Sequence, residues 1–136
     1  MDDENLDVEE MAEAEEVKNY SRPNFWKDII NEVDGTIVEC NTAYEGLRNT
    51  TKAHLMTIKK HGWDEFKFDL LDATGPDFVL DIPEGKVIKT NYLGKNVVNY
   101  DSMLVLSHFK GHPMGGYGGA IKQLSIGLAS SFGKAY

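Results

Sequence analysis

The sequence predicts an α/β fold with a mostly parallel sheet, flanking helices and one β-hairpin excursion. Three observations predict it. Short β-branched or apolar runs at residues 36–40, 66–71 and 103–106 alternate with segments whose apolar residues recur at helical spacing. The run Met103-Leu104-Val105-Leu106 is almost wholly apolar, the pattern of a central strand covered on both faces. A glycine-rich segment then follows that run, as expected where a strand turns into a helix beside a ligand.

Taken in order, residues 1–22 form an acidic segment with a thin apolar stripe (Val8, Met11, Ala12), expected to be disordered or loosely helical. The α/β domain is expected over residues 23–136. Pro23 suits a first helical turn, and Phe25, Trp26, Ile29, Ile30 and Val33 predict a helix over 23–33 ended by Asp34-Gly35. Residues 36–40 read as the first strand and 41–46 as a polar loop at its carboxyl end, where open α/β sheets place ligands. Asn49, Thr50 or Thr51 can cap a helix running to His61, with Gly62 as its left-handed stop. Residues 66–71 read as a second strand, and residues 78–82 and 86–89 as a hairpin around Pro83-Glu84-Gly85. After the central run, Ile121, Leu124, Ile126 and Leu128 predict a helix from 120 to 129, although Gly127 weakens it by roughly 1 kcal/mol.

The net charge of −8 is concentrated in one place. Residues 1–20 hold nine acids and one base, and the rest of the chain carries thirteen of each. No basic face points to nucleic acid. No apolar run is long enough to span a bilayer, and a cytoplasmic protein is expected. Cys40 is the only cysteine, so an iron–sulfur cluster cannot be built within this chain, and the thiol is expected to pack as a small apolar group.

The candidate chemistry lies in residues 107–122. Five glycines stand between 111 and 119, and Gly115, Gly116, Gly118 and Gly119 are read as cofactor- or anion-binding backbone. The spacing is neither the dinucleotide-binding fingerprint nor a Walker loop, since Lys122 is followed by Gln123. His108 and His112 flank Lys110, and imidazoles there suit proton transfer or hydrogen bonding to the loop itself. No third ligand makes the two histidines a metal site. Lys122, in the first turn of the following helix, suits charge stabilisation or a covalent partner, and Lys110 suits cofactor binding. Asn41, Thr42 and Arg48 form a second candidate group after the first strand, Arg48 through its guanidinium fork. His54 and His61, two helical turns apart, read as surface or internally satisfied residues.

These residues resemble a bacterial and archaeal family known as domain of unknown function 362. The resemblance rests on Ile37-Val38-Glu39-Cys40-Asn41-Thr42-Ala43-Tyr44, on Arg48-Asn49-Thr50-Thr51, and on the stretch from Asn99-Tyr100-Asp101-Ser102 through Lys134. It covers about residues 28–136. It implies an α/β domain, commonly joined to a ferredoxin-type iron–sulfur region, with a redox or cofactor-linked role. The opening βα unit of that pattern is replaced here by the acidic segment, so the chain reads as an incomplete domain. The interval from His112 to Lys122 also resembles the His-x-x-Ala-Gly-Tyr-Ser-Gly-Gly-x-Lys motif of nickel-pincer lactate racemases. That resemblance implies that His112 moves a proton and Lys122 anchors a cofactor.

The expected function is binding of a cofactor or small anion at the His/Lys/Gly-rich loop. The rival readings are a non-catalytic docking module and an inactive fragment. The expected partner is a small molecule, with homo-oligomers formed through exposed sheet edges.

Overall fold

Ile29, Ile30 and Val33 do fall within a helix, α1 (Lys27–Val33), in the computed structural model, which describes residues 26–136. The expected acidic segment and the start of the first helix at 23–25 lie outside the described residues. Asp34 stops α1 in the left-handed conformation at φ 46°, with its N–H shared between the carbonyls of Ile30 and Asn31. The described residues divide into two compact units: 26–37 with 44–68, and 38–43 with 69–136.

In the first unit, α2 (Thr51–Lys60) begins at Thr50, whose Oγ1 accepts the Ala53 N–H at 3.3 Å. Lys59 and Lys60 in its last turn face the negative end of the helix dipole, and Gly62 follows at φ 77°. The buried face of α2 is His54 and Ile58, one turn apart, while Leu55 and Met56 are exposed. The Thr57 hydroxyl lies 3.1 Å from the Leu47 carbonyl and 3.0 Å from that of Ala53. The unit also holds exposed ion pairs between Lys27 and Glu65 at 2.7 Å and between Lys67 and Asp34 at 2.9 Å. The hydrogen bond and charge of Lys67 hold the Asp34 carboxyl below the usual range.

Strands β1 (Ile37–Glu39) and β2 (Phe68–Leu70) pair with each other. Ile37 N–H donates to Lys67 O at 2.8 Å and Leu71 N–H donates to Glu39 O at 2.9 Å. Donor and acceptor numbers rise together along both strands, which makes the pair parallel, and α2 lies on the crossover between them.

The second unit is built on antiparallel pairs. β3 (Phe78–Asp81) pairs with β4 (Thr90–Leu93), with Phe78 opposite Leu93 and Asp81 opposite Thr90. The other edge of β4 receives residues 128–130, through Ser130 N–H to Tyr92 O and Gly94 N–H to Leu128 O, both 3.0 Å. A 3₁₀ turn, Lys95–Asn99, follows. β5 (Lys110–His112) and β6 (Gly116–Gly118) form a hairpin, α3 (Ala120–Lys122) widens into a π-type turn at Gln123–Gly127, and α4 (Ser131–Ala135) ends the chain. Cys40, Leu70, Leu71, Leu93 and Ala129 make its apolar core. Tyr92 meets Phe132 and Tyr136 edge-on at centroid distances of 5.0 and 4.8 Å. Burial and the neighbouring Tyr136 push the Tyr92 phenol above its usual range.

Helices and strands are mixed as expected, but the sheet is not mostly parallel. Among the described residues, the three strand pairs form separate two-stranded sheets, and β3–β4 and β5–β6 are antiparallel. The run 103–106 is not a strand: the Leu106 carbonyl accepts the Gln123 side-chain amide at 3.0 Å, and Met103 and Leu104 are exposed. An apolar pattern makes a strand only where a neighbouring backbone is there to pair with it. The expected hairpin over 78–89 keeps its first strand, while the second moves to Thr90–Leu93 and leaves a longer turn. The helix expected over 120–129 is regular only at Ala120–Lys122, and Gly127 falls in its π-type turn.

Candidate functional site

Side chains alternate across a strand, so Lys110 and His112 share one face of β5, and the residues opposite them, Gly118 and Gly116, have no side chains to cover it. Lys122 reaches the same place from α3: its Cδ lies 3.5 Å from where a Cβ on Gly118 would stand. Gly118 is buried, while Lys110 and Lys122 are exposed. Neither lysine is paired with a carboxylate among the described residues. The other face carries Phe109 and Tyr117, whose rings lie 5.4 Å apart.

His112 closes the turn of the hairpin. Its Nδ1 accepts the N–H groups of Met114 at 3.2 Å and Gly115 at 3.0 Å. A nitrogen accepting two N–H bonds carries no proton, which puts the imidazole proton on Nε2 and makes that atom a donor. The hairpin face thus offers two ammonium groups and one imidazole N–H, all donors. Gly116, at φ 75°, supplies the left-handed residue that brings the chain back from the turn. Gly115 and Gly119 belong to the same hairpin and helix start.

Of the remaining candidates, His108 is exposed in the irregular segment before β5, and Arg48 lies in the first unit in the turn before α2. Asn41 and Thr42 are buried just past the carboxyl end of β1, and Asn41 belongs to a second polar cluster. The Asp72 carboxylate there accepts the Asn41 N–H through Oδ1 and the Ser131 N–H through Oδ2, each at 2.9 Å. It ties the loop after β1 to the first turn of α4. Ser130 caps α4 by accepting the Gly133 N–H at 2.9 Å, and its own hydroxyl donates to Asp77 at 2.6 Å. Lys134 donates from Nζ to the carbonyls of Cys40 and Asn41.

Sequence reasoning missed Asp72, Asp77, Ser130 and Lys134. Asp72 carried a usable signal: it stands just past β2, as Asn41 stands just past β1, where α/β folds gather polar groups. Ser130 and Lys134 are separated from Asp72 by more than fifty residues and carried none.

Cys40 packs as expected, 1% exposed, with its Sγ 3.4 Å from the Leu128 carbonyl. Burial, with a smaller contribution from Asp72, pushes its thiol up to about 12. The folded chain therefore holds the thiol proton more tightly than the unfolded chain does. The resulting stabilisation is complete below the ordinary thiol range and is lost as pH rises through about 12. At pH 8, labelling of native Cys40 by an aromatic disulfide reagent is expected to be slower by about a thousandfold than in denaturant, following the thiolate fraction. Rapid labelling of the native protein would contradict the buried thiol.

Fold and site define a mixed α/β protein with a lysine-bearing glycine hairpin. Its sequence matches the model of the family described as Domain of unknown function (DUF362) over residues 6–136, and the chain belongs to that family. The match begins well before residue 28 and takes in most of the acidic segment. No curated protein and no solved structure matches the chain. No described helix is long and apolar enough to cross a membrane.

Proposed function

We propose that the protein binds a small anion, or the anionic group of a cofactor, on the Lys110–His112–Lys122 face of the hairpin. The observation that carries this reading is that Lys110 stands opposite Gly118 and the Lys122 stem lies over the same glycine, neither lysine having a carboxylate partner among the described residues. Two neighbouring ammonium groups repel each other, and an anion between them turns that repulsion into attraction. The absence of a side chain at the exposed Gly116, where a Cβ would meet nothing within 4 Å, leaves room for the anion to approach the backbone. The Nε2 donor of His112 adds a hydrogen bond, and its fixed tautomer leaves no acceptor on the ring facing an anion.

Titration with inorganic phosphate at low ionic strength, followed by the amide resonances of Gly116 and Gly118, tests this reading. Lys110→Met and Lys122→Met keep the aliphatic stems and remove the charges. Each is expected to weaken binding by about fivefold, the scale of one exposed charge–charge contact. Unchanged affinity in both variants would remove the hairpin face from consideration.

A further inference from the structure

The number of ammonium groups on the hairpin face bears on the charge of its ligand. Lys110 stands directly opposite Gly118, so its side chain leaves the sheet on the side where the Gly118 Cβ would be, and the Lys122 stem lies 3.5 Å from that same point. The exposed Lys27 and Lys67 each have a carboxylate partner, at 2.7 and 2.9 Å. Lys110 and Lys122 have none among the described residues. Among the described residues the face therefore holds two positive charges without a carboxylate partner, beside one N–H donor. A monocarboxylate or phosphodiester neutralises one charge and leaves the other repelled.

We infer that the anion taken by this face is a doubly charged phosphate, free or as a monoester. Two negative charges balance the two ammonium groups, and a tetrahedral phosphate offers three terminal oxygens to three donors. A carboxylate is planar and offers two oxygens. The inference rests on the anion-binding reading above and adds the charge class of the ligand.

Methyl phosphate and dimethyl phosphate separate the two claims, because at pH 8 the first is a dianion and the second a monoanion of similar size. Both are titrated into the intact protein at one low ionic strength, with the Gly116 and Gly118 amides as the readout. Methyl phosphate is expected to bind at least about fivefold more tightly, and Lys122→Met is expected to erase most of that preference. Equal affinity for the two esters in the wild-type protein overturns the dianion assignment and leaves anion binding standing. Binding of neither ester, nor of inorganic phosphate, overturns both. A preference for methyl phosphate over inorganic phosphate supports an esterified ligand, and the reverse order supports free phosphate.

Discussion

Gly94→Ala is expected to destabilise the second unit by about 3 kcal/mol or more, at the upper end of what overpacking a core costs. The cause is space. A Cβ at residue 94 would stand 2.8 Å from Cys40 Sγ and 2.5 Å from Leu71 Cβ, inside the contact distance of either atom. Cys40 and Leu71 are both fully buried, so neither can turn aside into solvent. The backbone of Gly94, at φ −56° and ψ 130°, is one that any residue adopts, so no conformational strain contributes. Its N–H also donates to Leu128, which prevents the segment from sliding away without breaking the link to β4. Gly111→Ala is the matched control, because a Cβ there meets nothing within 4 Å, and a change within about 0.5 kcal/mol is expected. Denaturant unfolding of both variants measures the difference. A Gly94→Ala protein as stable as the control would show that the Cys40–Leu71 core yields more readily than close packing allows.

Local signals carried the elements whose stability is local. The apolar spacing of Ile29, Ile30 and Val33, the cap at Thr50 and the stop at Gly62 all lie within a turn or two of the helix that they define. Strands β1 and β2 were legible because their β-branched and aromatic residues flank a helix of crossover length. The hairpin was not. Its β6 strand is Gly116-Tyr117-Gly118, and glycine is among the residues least favoured in strands, so only pairing with Lys110–His112 accounts for it. The reverse error occurred at 103–106, where propensity was strong and the paired backbone was missing. The Gly-rich segment stands out in the sequence by its composition. Its shape, a hairpin that places Lys110 and Lys122 at one glycine, depends on cross-strand register, which composition does not encode.

Asp72→Ala is expected to cost about 3 kcal/mol, the sum of two backbone donors left without an acceptor. Asn41 is 4% exposed, so water cannot readily take the place of Oδ1 at its N–H. The Ser131 N–H, bound by Oδ2, belongs to the first turn of α4, where helix geometry provides no internal partner. Asp72→Asn keeps one oxygen and turns an NH₂ group towards the other donor, so it is expected to lose about half as much. The nearby Lys134 ammonium, held by the Cys40 and Asn41 carbonyls, makes the carboxylate charge matter as well as its shape. Lys134→Met in the Asp72→Asn background should therefore cost less than Lys134→Met alone, because residues sharing one cluster do not contribute additively. Denaturant unfolding of the four proteins in that cycle gives the coupling directly. Strict additivity would mean that Asp72 and Lys134 brace the loop after β1 separately, and an Asp72→Ala loss below about 1 kcal/mol would mean that the loop and α4 do not depend on the carboxylate bridge.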